Sequence, residues 1–229
     1  MTQAAPPNNE DAVLIDGVGL ELRRLHESPL LETTLQHLDH AAQQRALRLV
    51  AARDRNEFVA GRLALQRFAA HLLRIDPAEL VPDYHCPQCG PGQDHGRPGY
   101  MLDGGPAPLL LSASRASGWV LLAGVVRPTE GLRLGVDLEA LDAAGFDGFD
   151  NVALTVGERD FLASIPKKQQ AGQRARLWAR KEAWLKMTGE GLRRNPAEVD
   201  VLKRPGLRDV GTVGGLALPD GLVAALALG

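Results

Sequence analysis

A helix resting on the surface of a protein keeps its charges opposite its apolar stripe, and the run Trp178-Ala179-Arg180-Lys181-Glu182-Ala183-Trp184-Leu185-Lys186 does not. Its periodicity is helical. Residues four apart share a face, so Trp178, Glu182 and Lys186 line up, with Leu185 beside them. Leu177, Lys181, Trp184 and Thr188 form the adjoining ridge. One account is a surface helix with Glu182 and Lys186 as an i,i+4 ion pair. The other is a helix whose charges are turned toward a site. The rest of the chain decides between them.

The chain has 229 residues, 45% hydrophobic and 24% charged, enough for a core in one large domain or two of about 100 residues each. A net charge of −2 carries no overall bias toward nucleic acid or a membrane surface. No run approaches the roughly 18 apolar residues of a membrane span, and the N-terminus lacks a basic-then-apolar signal pattern. A soluble, cytoplasmic protein is expected. The only cysteines, Cys86 and Cys89, are too close together to build a disulfide framework.

Residues 1–12, with Pro6-Pro7-Asn8-Asn9, are expected to form a disordered tail. Residues 13–128 form an N-terminal half and 129–229 a C-terminal half, divided at Arg127-Pro128-Thr129-Glu130-Gly131. Val13 to Leu22 reads as strand broken by Gly17 and Gly19. Thr33-Thr34 precedes a helical stretch through Leu35, Leu38, Ala42, Ala46 and Leu49. Asp54 to Arg74 is a stronger helix, with Phe58, Leu65, Phe68 and Leu72 at helical spacing and Asp54 as its cap. Arg55 and Arg62 share one of its faces. The apolar runs either side of Ser112-Ala113-Ser114-Arg115-Ala116-Ser117-Gly118 read as two buried strands joined by a turn. Further on, Thr155 with Glu158 forms a capping box. Pro166 to Gln173 reads as a polar linker, and Gly189 and Gly191 end the Trp178–Lys186 helix. Val199 to Val201, Val210 to Leu218 and Leu222 to Leu228 are strand-like, with a turn at Pro219-Asp220-Gly221.

Three places offer chemistry. Leu132 to Glu139 alternates with strand period, so Asp137 and Glu139 stand on one face beside Gly135. Like charges so placed raise each other's pKa unless a cation intervenes. Oxygen ligands on a rigid strand, with room left by Gly135, suit Mg²⁺; two carboxylates facing water would read the same way. Ser114 and Arg115 sit in the turn, where a hydroxyl and a guanidinium can meet a phosphate. Between Pro82 and Pro98, His85, Cys86, Cys89 and His95 make a donor set that zinc prefers, though a plain surface loop accounts for the same stretch.

Gly135-Val136-Asp137-Leu138-Glu139, followed by Trp178-x-x-Lys181-Glu182-Ala183-x-x-Lys186, resembles the two signature motifs of the 4′-phosphopantetheinyl transferases. Thr188-Gly189-Glu190-Gly191-Leu192 is similar to what the surfactin-synthetase-activating (Sfp-type) branch carries there. Asp54…Phe58-x-x-Gly61-Arg62-x-x-Leu65 and Gly96-Arg97-Pro98 extend the resemblance upstream. It implies an α+β fold of two similar α/β halves related by a pseudo-twofold axis, with the active site in the cleft between them. It implies Mg²⁺, for which Mn²⁺ can substitute, held by Asp137, Glu139 and Glu182. Coenzyme A would be held by Arg62, Arg97, Ser114, Arg115, Lys181 and Lys186. Its 4′-phosphopantetheine arm would pass to a serine of an apo acyl or peptidyl carrier protein, releasing adenosine 3′,5′-bisphosphate, with Glu182 and Lys186 as the catalytic residues. The Sfp-type length implies secondary metabolism, and two halves in one chain imply a monomer. Where the family often has Ser-His-Ser, this chain has Ser114-Arg115-Ala116, so Arg115 would meet the 3′-phosphate with a charge that does not titrate near neutrality. Zinc at Cys86 and Cys89 would shape the rim of that site. Two other functions use the same features: a zinc-knuckle binding module, and another Mg²⁺-dependent nucleotide transferase or hydrolase.

Overall fold

The computed structural model of the chain describes residues 13–15, 17–25, 35–86, 89–93 and 95–229. The 1–12 tail and the Thr33-Thr34 helix start lie outside the described residues. The main elements in chain order are β1 (Val13–Ile15), β2 (Val18–Arg24), α1 (His40–Arg48), α2 (Ala52–Leu73), β3 (Leu109–Ala116), β4 (Trp119–Val126), β5 (Leu134–Ala140), α3 (Phe149–Ala153), α4 (Val156–Ser164), α5 (Lys167–Thr188), β6 (Leu207–Asp209) and β7 (Leu222–Leu228).

Strand-period patterning builds, besides three small sheets among the described residues, the two antiparallel sheets that form the core, ordered β1-β2-β4-β3 and β5-β7-β6. Alternate residues of a strand point to opposite faces, and both faces of each sheet find cover. Val18, Leu20, Leu121 and Ala123 of the first sheet pack directly against Leu134, Val136, Leu138 and Leu226 of the second. The outer face of the first sheet, with Leu111, Val120 and Leu122, takes α2 through Leu65, Phe68 and Ala69. The outer face of the second, with Val223, Ala225 and Ala227, takes α5 through Ala175, Ala179, Ala183 and Met187. The order of layers is helix, sheet, sheet, helix, and each long helix has 22 residues. This is a mixed α+β architecture.

Glycine sets how closely the helices approach. A Cβ at Gly124 would lie 2.6 Å from Leu72 on α2. A Cβ at Gly135 would lie 2.0 Å from the Ala183 carbonyl and 2.5 Å from the Met187 nitrogen on α5. Gly135 therefore makes room for the α5 backbone rather than for a metal ion, which corrects the sequence-based expectation.

Other local expectations also shift. Asp39 caps α1 by accepting from the Ala42 N–H, and α2 starts after Ala51 with Asp54 inside its first turn instead of at its cap. The Pro166–Gln173 stretch is not a linker: Pro166 precedes α5, whose first two turns it supplies. Ser114 and Arg115 lie on β3, paired with Leu121 and Val120, and the turn is Ser117-Gly118, both at positive φ. The Thr155–Glu158 capping box forms, and Gly189 ends α5 in the left-handed conformation. Val199 and Val201 are buried but belong to no strand. The Pro82–Pro98 stretch is more than a loop, because Tyr84–Cys86 pairs with Gly90–Gln93.

Candidate active site

At the β3–β5 seam the Val136 N–H donates to Ser112 Oγ at 3.0 Å, drawing the two sheets together. One step along, Asp137 is 2% exposed. Its Oδ1 accepts from Lys186 Nζ at 2.6 Å and from Ser114 Oγ at 2.8 Å. Lys186 also donates to Ser114 Oγ and to the Val136 carbonyl. Lys186 thus pairs with the strand carboxylate and not with Glu182, its neighbour one helical turn away. The Asp137 face is no solvated edge.

Asp137 Oδ2 is buried and meets no hydrogen-bond donor. Burial raises the Asp137 carboxyl above its ordinary pKa despite Lys186 and Ser114. Glu139 is pushed up to about 7, first by burial and then by Asp137 and Glu182. Burial, reinforced by Asp137, also raises Glu182. The Asp137 charge opposes ionisation of Glu139 and Glu182, and with one Asp137 oxygen left without a donor the three carboxylates fit a hard divalent cation that prefers oxygen ligands. Their oxygens do not converge as tightly as the one group that comes within 4.8 Å among the described residues, Cys86, Cys89 and His95.

On the other side of Lys186 lies a cavity of about 420 Å³. Arg45 of α1, Gly61 and Arg62 of α2, Ser114 and Arg115 of β3 and Lys186 of α5 line it, with His95, Gly96 and Pro98 along one wall. Phe58 and Tyr84 organise the arginines. The Arg62 guanidinium lies 3.7 Å from the Tyr84 ring centroid, and Arg45, Arg62 and Arg115 all lie within 6 Å of Phe58. Arg115 donates to the Glu57 carbonyl at 3.1 Å, and Gly61 leaves the space its side chain crosses, since a Cβ there would sit 3.1 Å from Arg115 Cδ. Its packed setting, then Arg62 and Arg45, lower the Arg115 pKa. Cations gathered this closely, with aromatic faces beneath them, are chemically suited to meet an anion such as phosphate. Arg45 escaped the sequence reading; its only signal was its place between the buried Ala42 and Ala46 on α1.

Arg97 lies apart. It donates to the Met187 carbonyl at 3.2 Å and, with Arg133 and Arg193, lines a neighbouring cavity of about 630 Å³ that shares Lys186, Gly96 and Pro98 with the first.

Lys181 is a correction. Expected to contact cofactor, it is wholly buried on the far side of α5. Its ammonium reaches Glu158 Oε2 at 2.6 Å, the Pro196 carbonyl at 2.9 Å and the Val199 carbonyl. Those three acceptors answer its charge inside the core, and with no exposed surface it cannot reach a phosphate.

Among known proteins, one resemblance is specific. Residues 133–216 match the family model of the 4′-phosphopantetheinyl transferase superfamily. That span holds Asp137, Glu139, Glu182 and Lys186, while the arginine-lined cavity lies mostly outside it. It covers less than half of the chain and does not separate one branch of the superfamily from another. No curated protein matches the chain. No helix among the described residues is long and apolar enough to cross a membrane.

Proposed function

We propose that the protein moves the 4′-phosphopantetheine arm of coenzyme A onto a serine hydroxyl of an apo acyl or peptidyl carrier protein. One observation supports this: Lys186 both pairs with the buried Asp137 and lines the arginine-lined cavity, so a phosphate held there would lie beside the acidic group. Asp137, Glu139 and Glu182 would hold Mg²⁺ or Mn²⁺. When bound, the ion neutralises charge on the pyrophosphate of coenzyme A.

The remaining chemistry belongs to the side chains. Arg45, Arg62 and Arg115 receive the nucleotide phosphates, and Arg115 is assigned the 3′-phosphate. The serine oxygen attacks the phosphorus bearing the pantetheine arm. The bond to the bridging oxygen breaks, and adenosine 3′,5′-bisphosphate departs. Glu182, its pKa raised by burial, takes the serine proton. Lys186 stabilises the departing charge. Transfers of this kind depend on positioning and charge neutralisation. The two helix-backed sheets are read as halves related by a pseudo-twofold axis, acting as a monomer in the manner of the Sfp-type branch. The exposed Phe146, Val152 and Val156 are assigned to carrier docking.

Mass spectrometry of an apo carrier protein incubated with coenzyme A, Mg²⁺ and the protein tests the reading. The expected result is a gain of one phosphopantetheine arm, lost in chelator and lost by Glu182→Gln with the fold retained. Transfer by Glu182→Gln at the wild-type rate removes that residue's role. No gain with several carriers, alongside hydrolysis of coenzyme A, moves the activity to another Mg²⁺-dependent class.

A further inference from the structure

Beside the arginine-lined cavity stands a second group of ligand-type side chains that the transfer chemistry leaves unused. Cys86 ends one arm of the Tyr84–Cys86 hairpin, Cys89 lies in its turn, and His95 folds back over both. The two sulfur atoms and an imidazole nitrogen all lie within 4.8 Å of one another. Ligand atoms around a tetrahedral zinc are about 3.6–3.8 Å apart, as Zn–S near 2.3 Å and Zn–N near 2.0 Å require. Small side-chain rotations close that gap. Neither cysteine is in a disulfide.

Strand alternation explains which histidine joins. His85 precedes Cys86 on the same strand, so its side chain leaves on the opposite face, where it lines the larger cavity. His95 is brought in by the backbone. The His85 N–H donates to the Arg97 carbonyl at 3.0 Å, and the Arg97 N–H returns to the His85 carbonyl at 2.9 Å. Gly96 between them has φ +93, and a Cβ there would lie 2.3 Å from the His85 carbonyl oxygen. The segment is therefore pressed onto the hairpin at the point where its histidine completes the donor set.

We infer that Cys86, Cys89 and His95 bind one zinc ion, with the fourth position open to solvent beside the exposed Cys89. Two thiolates and an imidazole are the donors zinc favours over Mg²⁺, so this site and the carboxylate site select different metals. The zinc acts as a staple. It fixes a short hairpin that has little core of its own, and through His95 it sets the His95–Pro98 wall of the cavity. The metal site stands on the cluster alone; its effect on the cavity rests on the proposed coenzyme A reading.

The test uses the full chain purified under reducing conditions without chelator. Elemental analysis is expected to give one zinc per chain, reduced to background by Cys89→Ser and by Cys86→Ser and retained by Asp137→Ala. Cobalt in place of zinc is expected to give the thiolate charge-transfer and tetrahedral bands. A wild-type chain that stays free of zinc after reconstitution, with its thiols reduced or joined as a disulfide, overturns the site. Cys89 does not line the cavity, so Cys89→Ser is expected to raise KM for coenzyme A several-fold while kcat holds. An unchanged KM in zinc-free Cys89→Ser overturns the staple. Zinc present in a chain that modifies no carrier overturns the transferase reading and leaves the metal site standing.

Discussion

Helix α5 makes two lysine–carboxylate pairs, Lys181 with Glu158 and Lys186 with Asp137, both at 2.6 Å. Distance does not distinguish them; their surroundings do. Lys181 and Glu158 are both 0% exposed. Glu158 also accepts from the Thr155 N–H and the Val201 N–H, so one carboxylate ties the start of α4, the middle of α5 and the Val199–Val201 segment together. Every donor and acceptor is answered, and nothing is left to bind. In the other pair Lys186 is 32% exposed and faces a cavity, while Asp137 keeps one oxygen without a donor. A closed pair fixes a fold, and an incomplete pair is available to a ligand.

The largest effect is expected from breaking the closed pair. Glu158→Gln or Lys181→Met alone leaves a buried charge uncompensated and should cost about 3–5 kcal/mol of stability. The double variant Glu158→Gln/Lys181→Met should recover much of that. Denaturant unfolding measures the cycle, and kcat per folded molecule should stay at the wild-type value. A loss of kcat in folded Lys181→Met would return Lys181 to the site.

Lys186→Ala should do the reverse. Its stability loss should be smaller than that of Lys181→Met, because the ammonium is partly solvated and Asp137, already raised by burial, can take up a proton. Carrier modification should fall roughly 10²–10³-fold, the range for removing one donor from a developing charge. Parallel melting and turnover measurements on the two lysine variants would erase the contrast if they moved together.

At the far end of the cavity, Arg115→Ala should raise KM for coenzyme A about tenfold, the loss of a charge-assisted contact of about 1.5–3 kcal/mol. The same change measured with 3′-dephospho-coenzyme A should be small. Equal effects on both substrates would move Arg115 off the 3′-phosphate.

The smallest expected effect is a pH dependence confined to the carboxylates around the open pair. Burial, then Asp137 and Glu182, push Glu139 up to about 7 in the folded chain, against an ordinary 4.5. Between those values the folded chain holds a proton that the unfolded chain has lost, so metal-free stability should fall as pH rises from about 4.5 to about 7. Mg²⁺ favours the ionised carboxylates and should raise Tm more at pH 7.5 than at pH 5. Glu139→Gln should flatten the metal-free slope; an unchanged slope would place the titration elsewhere.

Short-range signals were legible wherever neighbours in sequence are neighbours in space. The Phe58–Leu65–Phe68 stripe of α2, the Thr155–Glu158 box, the Gly189 cap and the Leu222–Leu228 strand all follow from local periodicity and turn chemistry. The choice of Asp137, Glu182 and Lys186 rested instead on the motif resemblance, since local periodicity left an ion pair and a solvated strand edge open. Their sidedness was not legible. Lys181 and Lys186 are five residues apart, about 140° around a helix, so they face different ways, but sequence alone does not say which faces the cleft. That is decided by the contact of α5 with β5 that Gly135 permits. Arg45 was invisible because α1 has to fold beside α2 before its guanidinium reaches Phe58. Likewise Cys86 and Cys89 left a ligand pair and a plain surface loop both open, while the folded His95–Pro98 segment brings His95 rather than His85 beside them. Sequence determined the side chains, their spacing and the elements that carry them. The tertiary structure decided which charges were sealed into the core and which were left open at the seam between two sheets, because burial and the completeness of hydrogen bonding are properties of the assembled fold.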